Sequence, residues 1–168
     1  MSGYMKGYCA LSCICLAALA GVLVGSPQRA DAIAIVESQT EQDAQVNATL
    51  SHPCNNAEMV NVSGNTHIVS KTSVTTSTAK VDITASWGAM AAQNLTNGAT
   101  YTASGSSSAT VNLGPLPSSG KATVATSLTG SNGETMTAYL DLDVSVASNG
   151  ATVVYVHEVR LKCGSLEN

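Results

Sequence analysis

The chain has 168 residues, a formal net charge of −4, only 11% charged residues and no phenylalanine. That balance offers no basic surface for nucleic acid or an anionic membrane, and the length suits one domain. With Trp87 the sole tryptophan, the core has to come from Val, Ile, Leu and Ala, which points to β-structure.

Residues 1–32 read as a secretory signal peptide. Lys6 precedes an apolar run from Tyr8 to Val24, then comes Gly25-Ser26-Pro27, and the small residues Ala30 and Ala32 place cleavage after Ala32. Cys9, Cys13 and Cys15 lie inside the run and count as small hydrophobes. The mature chain is then expected to be secreted or periplasmic, with no membrane contact after cleavage. It keeps ten acidic against five basic side chains and two cysteines, Cys54 and Cys163. An even pair in an exported chain predicts one disulfide.

Residues 33–50 are expected to be only partly ordered, because Ile33 to Val36 suits an edge strand while Glu37 to Asn47 is polar and turn-rich. The β-domain is expected over 51–168. Glu58 to Gly64 alternates, and Gly64 marks a bulge or bend before His67. Thr78 to Trp87 puts Val81, Ile83, Ala85 and Trp87 on one face and Lys80, Asp82, Thr84 and Ser86 on the other, a half-buried strand. From Gly88 the alternation fails, and Ala89 to Gln93 suits a short helix. Asn97-Gly98 turns the chain into Ala99–Gly105, Ala109–Leu113 extends, and the prolines at 115 and 117 mark a loop before the strand Ala122–Leu128.

Met136 to Cys163 is the strongest hairpin signal, because Asn149-Gly150 sits between two alternating apolar runs. A two-residue type I′ loop pairs Val146 with Val153, Val144 with Tyr155, Leu142 with His157, Leu140 with Val159 and Ala138 with Leu161, all on one inward face. The outward face then carries Asp141, Asp143 and Glu158 beside Arg160 and Lys162. With strands about ten residues apart and no helical period, the predicted fold is all-β, an antiparallel β-sandwich or open barrel of about seven to nine strands with one disulfide.

The segment His52-Pro53-Cys54-Asn55-Asn56-Ala57-Glu58-Met59-Val60, followed by Gly64 and His67, by Asn97-Gly98-Ala99-Thr100-Tyr101 through Gly105, and by Cys163, resembles a family of secreted, mostly bacterial, single-domain β proteins of uncharacterised function. Members carry a Pro-Cys-x-x-Glu-type segment, a Gly-x-x-His step and a cysteine near the end. His52 stands where asparagine is usual in that family. The resemblance implies a β-sandwich and an exported location, and it implies no activity.

Candidate chemistry is sparse. His52, His67 and His157 share no metal-ligand spacing, so a zinc or copper site would have to be assembled by the fold. No nucleophile elbow, phosphate loop or dinucleotide fingerprint is present. Asp141, Asp143 and Glu158 form a weak calcium candidate, with Arg160 and Lys162 as the alternative source of compensation. Asn47, Asn61 and Asn94 each begin a glycosylation sequon. The expectation is an exported, non-enzymatic module with a structural or binding role toward an extracellular or envelope ligand, with no cofactor. A pilus-type or adhesin subunit is the first alternative, and a secreted metal-dependent enzyme the second.

Overall fold

The computed structural model describes residues 36–166, so the expected signal peptide and its cleavage site lie outside the described residues. Eight strands follow in order: β1 Val36–His52, β2 Asn55–Val74, β3 Ala79–Asn94, β4 Thr100–Ala103, β5 Ser106–Leu113, β6 Ser118–Gly130, β7 Thr135–Val146 and β8 Thr152–Cys163. Every pairing is antiparallel, along the path β1-β2-β3-β4-β6-β7-β8. β3 forks: its first half, Ala79–Ser86, pairs with β5, and its end, Ala91–Gln93, with β4. The fold is an open, sandwich-like sheet with one face turned inward.

The inward face is aliphatic, as the composition requires. Val81, Ile83, Ala85 and Trp87 of β3 are fully buried, and so are Ala138, Leu140, Leu142 and Val144 of β7. The Trp87 indole N–H donates to Ser107 Oγ at 3.1 Å, so this large side chain is buried without orphaning its polar atom.

Three elements differ from the sequence reading. Residues 36–50 are not a loosely ordered preface: β1 pairs with β2 from Val36↔Val74 to Ser51↔Met59. Its first half, residues 37–43, is largely exposed and is held by its ladder, whereas Ala44, Val46, Ala48 and Leu50 alternate toward the core. Ala89–Gln93 is strand, not helix. Asn65 pairs with Ala89 and His67 with Ser86, so Trp87 and Gly88 together oppose Thr66. This β-bulge reverses the phase of β3, and the buried positions switch from 81, 83, 85 and 87 to 90, 92 and 94.

The third difference is in the last hairpin. Gly150 donates to the Ala147 carbonyl, Ala147 donates to the Ala151 carbonyl, and Val146 faces Thr152. The loop is therefore Ser148-Asn149-Gly150, with Gly150 at φ 83°, the three-residue form ending in a left-handed glycine. Near the turn Val144 faces Val154, not Tyr155, and Leu142 faces Val156, not His157. His157 is the extra residue of a second bulge. Beyond it Asp141↔Glu158, Leu140↔Val159 and Ala138↔Leu161 follow the expected register. The longer loop displaces the register by one residue and the bulge restores it.

Six antiparallel steps separate β1 from β8, so the two edge strands run in the same direction. They meet across a seam that is clasped at two points. Gln42 Nε2 donates to the Val154 carbonyl, and at the other end Cys54–Cys163 holds the Cα atoms 5.0 Å apart. Toward the disulfide end, a cleft of about 640 Å³ opens beside Leu50, Ser51, Val159 and Leu161.

Candidate functional site

β1 ends at His52 because Pro53 has no N–H to continue a ladder. The imidazole of His52 is buried and turns back over the Pro53-Cys54 turn. Its Nδ1 accepts the backbone N–H groups of Cys54 and Asn55, both at 3.2 Å. An atom accepting two donors carries no proton, so the ring is the Nε2–H tautomer. Nε2 lies 3.2 Å from Tyr101 Oη and 3.6 Å from Glu134 Oε2.

Tyr101, fully buried on β4, donates its hydroxyl to Glu134 Oε2 at 2.8 Å. That bond holds the Glu134 carboxyl below its usual range, with an Asn132 hydrogen bond adding to the effect. Burial, and then the same carboxylate, push the Tyr101 phenol up. The ring lies so close to Gly130 that a Cβ there would meet Tyr101 Cε1 at 2.7 Å, which accounts for glycine at the end of β6.

A second polar knot lies alongside. Asn56, Ala57 and Glu58 fall outside the β1–β2 register, and Glu58 receives the amides of Asn55, Asn94 and Asn97. The buried Asn94 in turn accepts the N–H groups of Thr96 and Asn97 with its Oδ1. Its sequon is thus occupied by internal bonds.

This arrangement can fix a turn but is poorly built to move protons. Protonating His52 would put a proton on Nδ1 against two backbone donors. With Nδ1 already taken up by the Cys54 and Asn55 N–H groups, accepting a proton there would give up both turn bonds, so the geometry suits a structural ring better than a general base. The three histidines are not brought together. His67 Nδ1 pairs with Asp43 at 2.9 Å, and His157 Nδ1 with Asp143 at 3.0 Å. His157 is an exposed bulge residue, not an inward partner of Leu142.

The calcium candidate does not assemble either. Arg160 forks onto Asp141, with Nε to Oδ2 at 2.5 Å and Nη2 to Oδ1 at 2.8 Å, and depresses the Asp141 carboxyl. Asp143 faces His157 and, at 4.0 Å, Lys121, while Glu158 is exposed. Among the described residues the one set of three or more His, Cys, Asp or Glu with ligand atoms within 4.8 Å of one another is His52, Cys54 and Glu134.

The sequence reading also missed an outward apolar patch. The shifted register near the turn puts Val154 inside, 4% exposed, and turns Val153 and Tyr155 out at 57% and 52%. Two residues apart on one strand, they share a face. Val153 sits opposite Ser145 and Tyr155 opposite Asp143, with Ser119 and Lys121 one strand further on. A groove of about 340 Å³ beside Pro117, Ser119, Ala147 and Val153 continues the patch to the hairpin end.

No protein-family model matches the chain, and no curated protein or solved structure is significantly similar to it.

Proposed function

We propose that the protein is an exported, non-enzymatic β-domain with a binding or structural role in the envelope or extracellular space, and that it meets its partner through the outer face of β6, β7 and β8. The observation that carries this reading is the pair Val153 and Tyr155, each more than half exposed on an outward face. An exposed aliphatic and a tyrosine beside hydroxyl and charged side chains supply an apolar anchor within a polar rim. The signal-like first 32 residues and the disulfide support export. The hydrogen bonding of His52 favours a structural role for the buried cluster over a catalytic one.

The clasped seam weighs against the pilus-type alternative. A donated strand between β1 and β8 would hold them about two strand spacings apart, roughly 9.5 Å, whereas Cys54 and Cys163 fix their ends at 5.0 Å. The test is a photo-crosslinking side chain at position 155 and, as a control, at exposed Lys71 on β2, in protein exported by the producing cells. A discrete adduct from 155 and none from 71 supports the reading. Adducts from both alike, or from neither, contradict it.

A further inference from the structure

We propose that reduction of Cys54–Cys163 converts the disulfide end of the sheet into a binding site for one thiophilic divalent cation such as zinc, held by His52, Cys54 and Glu134 with Cys163 as the fourth donor. Ligand atoms of the first three already lie within 4.8 Å of one another, and the sulfur of Cys163 is bonded to that of Cys54. Tetrahedral zinc spaces its donors roughly 3.3–3.7 Å apart, so the set has to contract by about an ångström. Two thiolates, an imidazole and a carboxylate suit zinc better than calcium or magnesium, which take oxygen donors.

Three features of the site support this. His52 is 1% exposed, so one donor is fixed in the protein interior. Glu134 accepts the Tyr101 hydroxyl at 2.8 Å, a bond that would remain as an outer contact orienting the carboxylate. Both cysteines are exposed, so a dithiol reductant can reach the bond. In the first step the dithiol gives two electrons and two protons; the S–S bond breaks, two cysteine thiols form and the dithiol leaves as its own disulfide. In the second step the cation displaces the two thiol protons to solvent, and two sulfur–metal bonds form.

The oxidised state opposes binding twice over. Its sulfurs are committed to each other, and the Nδ1 bonds from Cys54 and Asn55 keep the His52 proton on Nε2. Coordination through Nε2 moves that proton to Nδ1 and releases both 3.2 Å contacts. Those donors belong to the turn that the disulfide ties to β8, so reduction is also the event that frees them. Metal and disulfide are thus mutually exclusive occupants of one site.

Cobalt(II) is the probe, added to oxidised protein and to protein reduced with a phosphine, with folding followed by Trp87 fluorescence. The expected result is one cobalt per chain, with thiolate-to-cobalt charge-transfer and tetrahedral visible bands, in the reduced protein only and displaced by zinc. Glu134→Gln should weaken cobalt binding about tenfold or more while keeping the charge-transfer band, and Cys163→Ser should lose about half of that band. Reduced protein that stays folded without these bands overturns the proposal, as does equal binding by the oxidised chain or by Glu134→Gln. If reduction unfolds the domain, zinc should restore the native Trp87 signal, and its failure to do so overturns the proposal equally.

Discussion

Replacing both Cys54 and Cys163 by serine removes the covalent clasp across the β1–β8 seam while leaving every strand pairing available. The cysteines are 109 residues apart, and in the chain-entropy treatment releasing a loop of that length lets the unfolded chain gain about 5 kcal/mol of conformational freedom. A domain of this size is stable by about 5–15 kcal/mol in total, so the loss brings the reduced form close to the unfolding threshold. With a urea m value of about 1.5–2 kcal/mol/M the midpoint should fall by roughly 2.5–3.3 M. Trp87, fully buried and the sole tryptophan, reports the transition, and wild-type protein with and without a reductant provides the matching pair. A shift below about 0.5 M, with m unchanged, would refute the reasoning, because positions 54 and 163 would then be held together in the unfolded chain without the bond.

Acid should destabilise the domain. Lys80 on Asp82, Tyr101 on Glu134 and Arg160 on Asp141 each hold a carboxyl below its ordinary range. A carboxyl depressed in the folded state contributes stability that is complete above its unfolded value, about pH 4, and is lost as pH falls through the folded one. Thermal melts should therefore worsen below about pH 4, and a midpoint that rose from pH 4 to pH 2 would contradict this. Because Asp141 and Asp143 already have cationic partners, Asp143→Ala should change stability by no more than about 0.5 kcal/mol, equally in calcium and in a chelator; a loss seen only in calcium would restore the metal reading. Gly150→Val should cost about 1 kcal/mol or more in urea melts, since a β-branched residue resists φ 83°, and a neutral result would mean that the loop has another form.

Where alternation was strict, the sequence was enough to place the inward face. Val81 to Trp87 and Ala138 to Val144 are buried as their period-two pattern demands. The pattern failed where the backbone breaks the period. Trp87-Gly88 reverses β3 in mid-strand, which made Ala89–Gln93 look helical. In β8, Val153-Val154-Tyr155-Val156 is apolar on both faces, so nothing local chose between registers, and a two-residue or three-residue loop was equally compatible with Asn149-Gly150. β1 was obscured for a different reason: its first half is polar and held by its ladder, and the alternation of Ala44, Val46, Ala48 and Leu50 onto the core begins only in its second half. The disulfide followed from cysteine number and the expectation of export alone. In the buried cluster His52 stood out only as a histidine beside a proline. Its partners Tyr101 and Glu134 lie 49 and 82 residues further along, on other strands or turns, and no spacing rule connects them.

The outward patch depends on the register of β8, and single cysteines at positions 153, 154 and 155 in the otherwise oxidised protein report it directly through their rates of reaction with a thiol reagent. The expected result is rapid labelling at 153 and 155 and slow labelling at 154, because Val153 and Tyr155 are more than half exposed while Val154 is 4% exposed. Rapid labelling at 154 with protection at 153 and 155 would mean that β8 keeps the uninterrupted two-residue-loop register, with both side chains in the core and no apolar face left to bind a partner.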